Sequence, residues 1–276
     1  MLTINTNTGS MTALQYLNQT SSKLSETETK VSTGLKVATA RDNGATYAIA
    51  QNMRGDIGGC SSIKDSLNRG LSAIDVATSA GESISDLMIE MKEKALAASD
   101  TSLDSASRDA YNQDFLALRD QISAVVGNAS FNGLNLLDGS VSCVTALASS
   151  NGTRRITVLS QNFSFGASIL GSAFTSSVQI NSVSLALKMV TIVAKALVNI
   201  DSALSKLSAG AKKYSIQLTF TQKLSDSLTG GVGNLVDADM ATESANLTAL
   251  QTKQQLGVQA LSIANSTPQI ILSLFQ

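Results

Sequence analysis

From residue 14 to residue 35 the sequence keeps an unbroken three-four spacing through Leu14, Leu17, Ser21, Leu24, Glu28, Val31 and Leu35. A helix with that repeat presents a narrow seam, here carrying two polar positions, to a second helix. The C-terminal stretch from residue 247 onward carries two adjacent apolar rows, one of Leu256, Ala260, Ile263, Ile270 and Leu274 and one of Leu250, Gly257, Leu261 and Ala264. A single partner helix can cover only one of these rows. The last residues, Ile270-Ile271-Leu272-Ser273-Leu274-Phe275, form an apolar patch of the kind that marks an interface. The economical arrangement packs the two terminal helices together and buries the remainder against other copies. The candidate interface residues are therefore Leu14, Leu17, Leu24, Val31, Leu35, Leu250, Leu256, Leu261, Ile263, Ile270 and Leu274. The chain reads as a polymer subunit.

Composition narrows the alternatives. Among 276 residues there are one Pro, no Trp, no His and 4% aromatics, which suits long helices better than an aromatic core. Without His the commonest general base and metal ligand is missing, which does not exclude an enzyme but removes its usual tools, and neither metal nor cofactor is expected. A net charge of −1, with no basic cluster interleaved with aromatics, argues against nucleic acid. The first thirty residues lack a basic n-region and an apolar h-region, so export without a Sec-type signal is expected. The most apolar run, residues 185–200, is interrupted by Lys188 and Lys195, and no membrane insertion is expected. Cys60 and Cys143 are too few for a disulfide framework or zinc site; Cys60 lies on an apolar stripe as a buried thiol, and Cys143 sits in a more accessible Ser/Thr-rich segment.

Along the chain, Asp42-Asn43-Gly44 marks a connector after the first helix. A second helix follows to about residue 98, with Gly55, Gly58, Gly59, Gly70 and Gly81 inside it, each costing about 1 kcal/mol relative to Ala. Close helix approach or a kink at Gly58-Gly59 would account for them. A third stripe through Tyr111, Phe115, Leu118, Ile122 and Val125 should fold back antiparallel on the second. The turn dipeptides Asn132-Gly133 and Asp138-Gly139 end the helical region, and residues 156–159 and 177–180 are the expected short strands. Helix returns from about residue 183 to 228, and Gly230-Gly231-Val232-Gly233 should break it as a hinge. The expected fold is mainly α: a long antiparallel coiled-coil helical rod with a small β-hairpin insertion at about 141–182. Residues 1–45 and 234–276 form the terminal coiled-coil domain and 46–233 the helical-rod domain.

Several short motifs at both ends resemble bacterial flagellin, the subunit of the flagellar filament. They include Ile4-Asn5-Thr6-Asn7, Ser32-Thr33-Gly34-Leu35, Ala40-Arg41-Asp42, Phe131-Asn132-Gly133, Leu136-Leu137-Asp138-Gly139-Ser140, Val236-Asp237-Ala238-Asp239 and the run from Gln254-Gln255-Leu256-Gly257 to Ile263-Ala264-Asn265. The resemblance covers about 140 N-terminal and 95 C-terminal residues on the helical stretches just described, and it is to the short alphaproteobacterial type without large outer domains. It implies a self-assembled extracellular filament for swimming, with terminal helices lining the channel. It also implies unfolded passage through a flagellar type III export apparatus, a chaperone on the C-terminal segment, junction and cap proteins at the filament ends, and copolymerisation with other flagellins. Recognised members depend on an Arg at the position of Glu90 for activating the vertebrate flagellin-sensing receptor, so weak activation is expected. The usual terminal Arg is Gln276 here.

Two carboxylates, Asp237 and Asp239, with Glu243, are read as caps for the last helix and not as a metal site. Gly230-Gly231-Val232-Gly233 lacks the Lys of a phosphate loop. A hook–filament junction protein is the competing assignment of the same class; an enzyme is the competing class, but the insertion is too short to hold a domain of about 50 residues.

Overall fold

The computed structural model describes residues 6–171 and 174–273, with side chains described as far as Ser266. Five helices, α1 (Thr8–Thr33), α2 (Gly44–Ala98), α3 (Ser105–Asn128), α4 (Val183–Val236) and α5 (Met240–Ser273), account for most of it. Four short strands lie between α3 and α4: β1 (Ser130–Phe131), β2 (Leu134–Asn135), β3 (Cys143–Leu147) and β4 (Arg155–Leu159). The chain divides into two compact units, Met1–Gly55 with Ser227–Gln276, and Asp56–Asp226. The long helices α2 and α4 contribute to both.

In the central unit α2 and α4 run antiparallel: Lys64 Nζ donates to Gln222 Oε1 at 3.0 Å, Gly70 lies against the Tyr214 ring, and Gly81 lies against Leu204. The absent side chains are what permit these approaches, since a Cβ on Gly81 would sit 2.7 Å from Leu204 Cδ2. Helix α2 runs unbroken through Gly58 and Gly59, and close approach accounts for three of its glycines: Gly59 lies against Ser150 of the β3–β4 turn, and Gly70 and Gly81 lie against α4. Helix α3 folds back on α2 as expected. Arg108 caps the end of α2 by donating from Nε to Ala98 O at 3.0 Å, and Lys94 on α2 pairs with Asp114 on α3 at 2.7 Å. The core between these helices contains Ile74, Ile84, Met88, Met91, Phe115, Ile122, Val193, Ile200 and Leu207.

Asn132-Gly133 does form a two-residue hairpin, with φ of 50° and 78° at the two positions, joining β1 to β2. Residues 156–159 are in β4 as expected, but their antiparallel partner is β3, which pairs Cys143 with Leu159 and Leu147 with Arg155. Residues 177–180 form no strand. The Ile180 N–H is taken instead by buried Asn112 Oδ1 on α3 at 2.7 Å, and Ile180 is packed into the core as irregular chain. Tyr214 ties the hairpin to α4: its single hydroxyl proton is shared between Val144 O at 3.0 Å and Ile156 O at 3.1 Å.

The expected hinge at Gly230-Gly231-Val232-Gly233 is also corrected, because α4 runs unbroken to Val236. A Cβ on Gly231 would meet Met53 Cε at 2.8 Å, so this glycine serves packing inside a helix. The interruption comes later, at residues 237–239. Helix α4 also holds an 18-residue window of mean hydropathy 1.8, long and apolar enough by composition to cross a membrane, which Lys188 and Lys195 had argued against. The same helix buries Ala186, Met189, Val193 and Ala196 in the protein core, and both lysines are exposed.

Candidate polymerisation surface

The terminal unit is organised by its two connectors. Helix α1 ends where Gly34 adopts a left-handed φ of 72° and its N–H reaches Lys30 O at 2.9 Å. The chain then meets the α4–α5 connector: Lys36 N donates to Val236 O at 2.8 Å, Ala238 N donates to Gly34 O at 2.9 Å, and Leu35 forms an antiparallel bridge with Asp237. Each connector is fastened by an aspartate. Asp42 accepts the Ala38 and Thr39 N–H groups at 3.0 and 2.8 Å, and Asp239 caps α5 by accepting from Ala241 N at 3.0 Å and from the Thr242 hydroxyl at 2.8 Å. Hydrogen bonds to Thr39 and Thr242 hold the Asp42 and Asp239 carboxyls below the usual carboxylate value.

From that joint α5 returns along α1. At the far end Asn7 caps α1 through the Ser10 N–H at 3.0 Å while its Nδ2 donates to Ala264 O at 2.7 Å, and the Ser10 hydroxyl reaches Asn265 Oδ1 at 2.7 Å. Midway, a Cβ on Gly257 would stand 3.2 Å from Leu17 Cδ1. The helices are therefore antiparallel from end to end. The less exposed face of α1 is Ser10, Ala13, Leu17, Thr20, Leu24, Thr27 and Val31; on α5 it is Glu243, Leu247, Leu250, Gln254, Gly257, Leu261 and Ala264. Both are three-four repeats. On α1 this seam takes Leu17, Leu24 and Val31 from the expected row but passes through Thr20 and Thr27 in place of Ser21 and Glu28, leaving Leu14 on its flank.

The α5 row of Leu250, Gly257, Leu261 and Ala264 faces α1. The other row does not: Leu256 is 57% and Ile263 68% exposed, and on α1 Leu14 is 47% exposed beside Met11 and Tyr16. Leu35 is half-buried at the connector. Ile4, Asn5, Leu274 and Gln276, and the side chain of Ile270, lie outside the described residues. The seam itself is thin. Only Leu24 and Thr27 are buried on α1, and none of residues 240–266 is buried.

Charge around the seam is modest. Lys30 bonds Glu26 at 2.7 Å, which raises the lysine above its ordinary value, with a smaller push from Glu243 on α5. Among the described residues no group of His, Cys, Asp and Glu could hold a metal ion. Cys60 is buried, and burial pushes its thiol up, away from nucleophilic character; Cys143 is half-buried on β3.

Paired terminal helices that keep a second apolar row outside define a self-assembling helical subunit. Residues 4–142 match the bacterial flagellin N-terminal helical region and residues 190–275 the bacterial flagellin C-terminal helical region. The chain belongs to the flagellin family. It is 48% identical to flagellin FljM and to flagellin FljK of Caulobacter vibrioides, over 99% of this chain and 98% of each relative. It is 35% identical to a flagellin of Brucella melitensis biotype 1 over the whole of both chains. A crystal structure of Bacillus cereus flagellin matches with a TM-score of 0.50 at 17% identity, covering 56% of this chain and 88% of that one, a likeness of fold. The protein is thus a structural subunit of the extracellular flagellar filament and not an enzyme.

Proposed function

We propose that the filament is built through the terminal helices: α1 and α5 pair along their thin seam, and the outer row of Leu14, Leu256 and Ile263, continued by Ile270 and Leu274, packs against neighbouring copies. The exposed apolar row beside a sparsely buried seam carries this reading. A pair that buries so little gains little at ~25 cal/mol per Å², so most of its order comes from burial in the polymer. Residues 1–45 and 234–276 then form the inner core of the filament and 46–233 the surrounding tube. Copies meet by heterologous contacts that do not close, which yields an open helix.

The chain travels unfolded through a flagellar type III apparatus with a chaperone on its C-terminal segment, and it meets junction and cap proteins at the filament ends. Mixed filaments with other flagellins follow from the shared surface. Exposed Glu90 stands where recognised members carry Arg, so purified monomer should activate the vertebrate flagellin-sensing receptor weakly; a strong cellular response would contradict this. The test of the interface is the double variant Leu256→Asp with Ile263→Asp. It should abolish filaments and leave the thermal unfolding of residues 56–226 unchanged; normal filaments would refute the assignment.

A further inference from the structure

The central unit is electrically divided. Residues 56–138 carry thirteen acidic side chains and six basic ones, whereas residues 139–226 carry eight basic side chains and two acids, Asp201 and Asp226. On α2 the carboxylates Asp75, Glu82, Asp86 and Glu93 follow a 7, 4, 7 spacing, which at 100° per residue places all four within about 40° on one helix face. On α4 Lys188, Lys195, Lys206 and Lys213 follow a 7, 11, 7 spacing, which by the same geometry also keeps them within about 20°. All eight are exposed, and no ion pair among the described residues uses any of them.

The two lines are in register with each other. Asp75, Glu82 and Glu93 are separated by 7 and 11 residues, as are Lys188, Lys195 and Lys206. Run the other way, Glu93, Asp86 and Asp75 are separated by the same intervals. In either direction three carboxylates meet three ammonium groups along ~27 Å of helix, at 1.5 Å per residue. Each line is flanked by exposed apolar side chains, Ile89 and Leu96 on α2, and Leu187, Val198 and Ile216 on α4. Apolar residues flanked by Glu and Lys that pair across the contact are a pattern by which helices of different chains choose partner and orientation.

We infer that the acidic face of α2 in one copy docks on the lysine face of α4 in the next copy. Charge complementarity and the common 7, 11 interval name a second copy of this chain as the occupant. Because the faces differ, the contact is heterologous and propagates. This rests on the filament reading and adds to it a second, electrostatic contact outside the terminal helices, one that sets which neighbours and which register are accepted.

The test is charge exchange in the full-length chain, read as the critical concentration for seeded filament growth by sedimentation. Lys195→Glu with Lys206→Glu, and separately Glu82→Lys with Glu93→Lys, should each raise it about tenfold or more, since each loses attraction and adds repulsion. The fourfold variant carrying both exchanges should return towards wild type, which shows that the single exchanges did not act by misfolding. Added salt should weaken the wild-type contact. Pairwise variants that grow at the wild-type concentration, or a fourfold variant no better than the pairwise ones, would overturn the docking while leaving the terminal-helix polymer standing. A wild-type chain that does not grow even when seeded would overturn both.

Discussion

The Tyr214 ring abuts Gly70 through its Cε2 and Cδ2 atoms while its hydroxyl is held by carbonyls of the hairpin, so neither partner can move far. Gly70→Ala should therefore destabilise the central unit by about 1–3 kcal/mol. Gly81→Ala should cost less, because Leu204 Cδ2 is the end of a flexible side chain. Gly58→Ala meets nothing within 4 Å and should stabilise by about 0.5–1 kcal/mol. Thermal unfolding of the three variants checks this order, and a destabilised Gly58→Ala would contradict it. Burial pushes the Tyr214 phenol up to about 12 from an ordinary 10.0. A raised value means that the folded state favours the protonated form, so its contribution is complete below pH 10.0 and is lost as pH rises towards 12. Alkaline titration of stability should show this loss in wild type and not in Tyr214→Phe.

At the scale of elements, helices were legible and their breaks were not. The three-four repeats fixed α1, α2, α3 and α4 because each buries one stripe, and the Asn132-Gly133 turn was visible as local chemistry, whereas the left-handed Gly34 that ends α1 lay inside the seam expected to run to Leu35. Gly230, Gly231 and Gly233 misled, since a glycine that lets Met53 approach looks the same in sequence as one that ends a helix. Residues 177–180 misled for a related reason: their β-branched and apolar composition suits a strand, but Asn112, nearly seventy positions away, satisfies the backbone instead. The seam on α1 differed because Thr20 and Thr27 are chosen by the partner helix and not by apolarity. The connector aspartates give a pH prediction. Lowered values for Asp42 and Asp239 mean stability present above the ordinary 3.8 and lost as pH falls through the folded value. The stability that these caps lend the terminal unit should decline as pH drops below about 3.8, and Asp239→Ala should show a shallower acid dependence of filament light scattering than wild type. An identical acid profile would contradict the role of this cap.

At the scale of the molecule, the chain combines a densely buried central unit with a terminal unit whose few buried side chains, among them Leu24, Val37, Ala50 and Val236, lie mostly away from the α1–α5 seam. That contrast is why the polymer was legible from sequence while its intrachain seam was only half so: apolar surplus at both ends shows that partners exist, but the division of rows between α1 and other copies depends on where α5 comes to lie. Assembly and folding of the terminal helices are proposed to be one event, driven by burial that the isolated chain does not have. The direct measurement is electron microscopy of the purified protein at rising concentration, seeded with filament fragments, beside a chain lacking residues 1–35 and 240–276. Filaments are expected from the full chain and none from the shortened one. Filaments from the shortened chain, or a full chain that stays monomeric beside its seeds, would contradict the proposal.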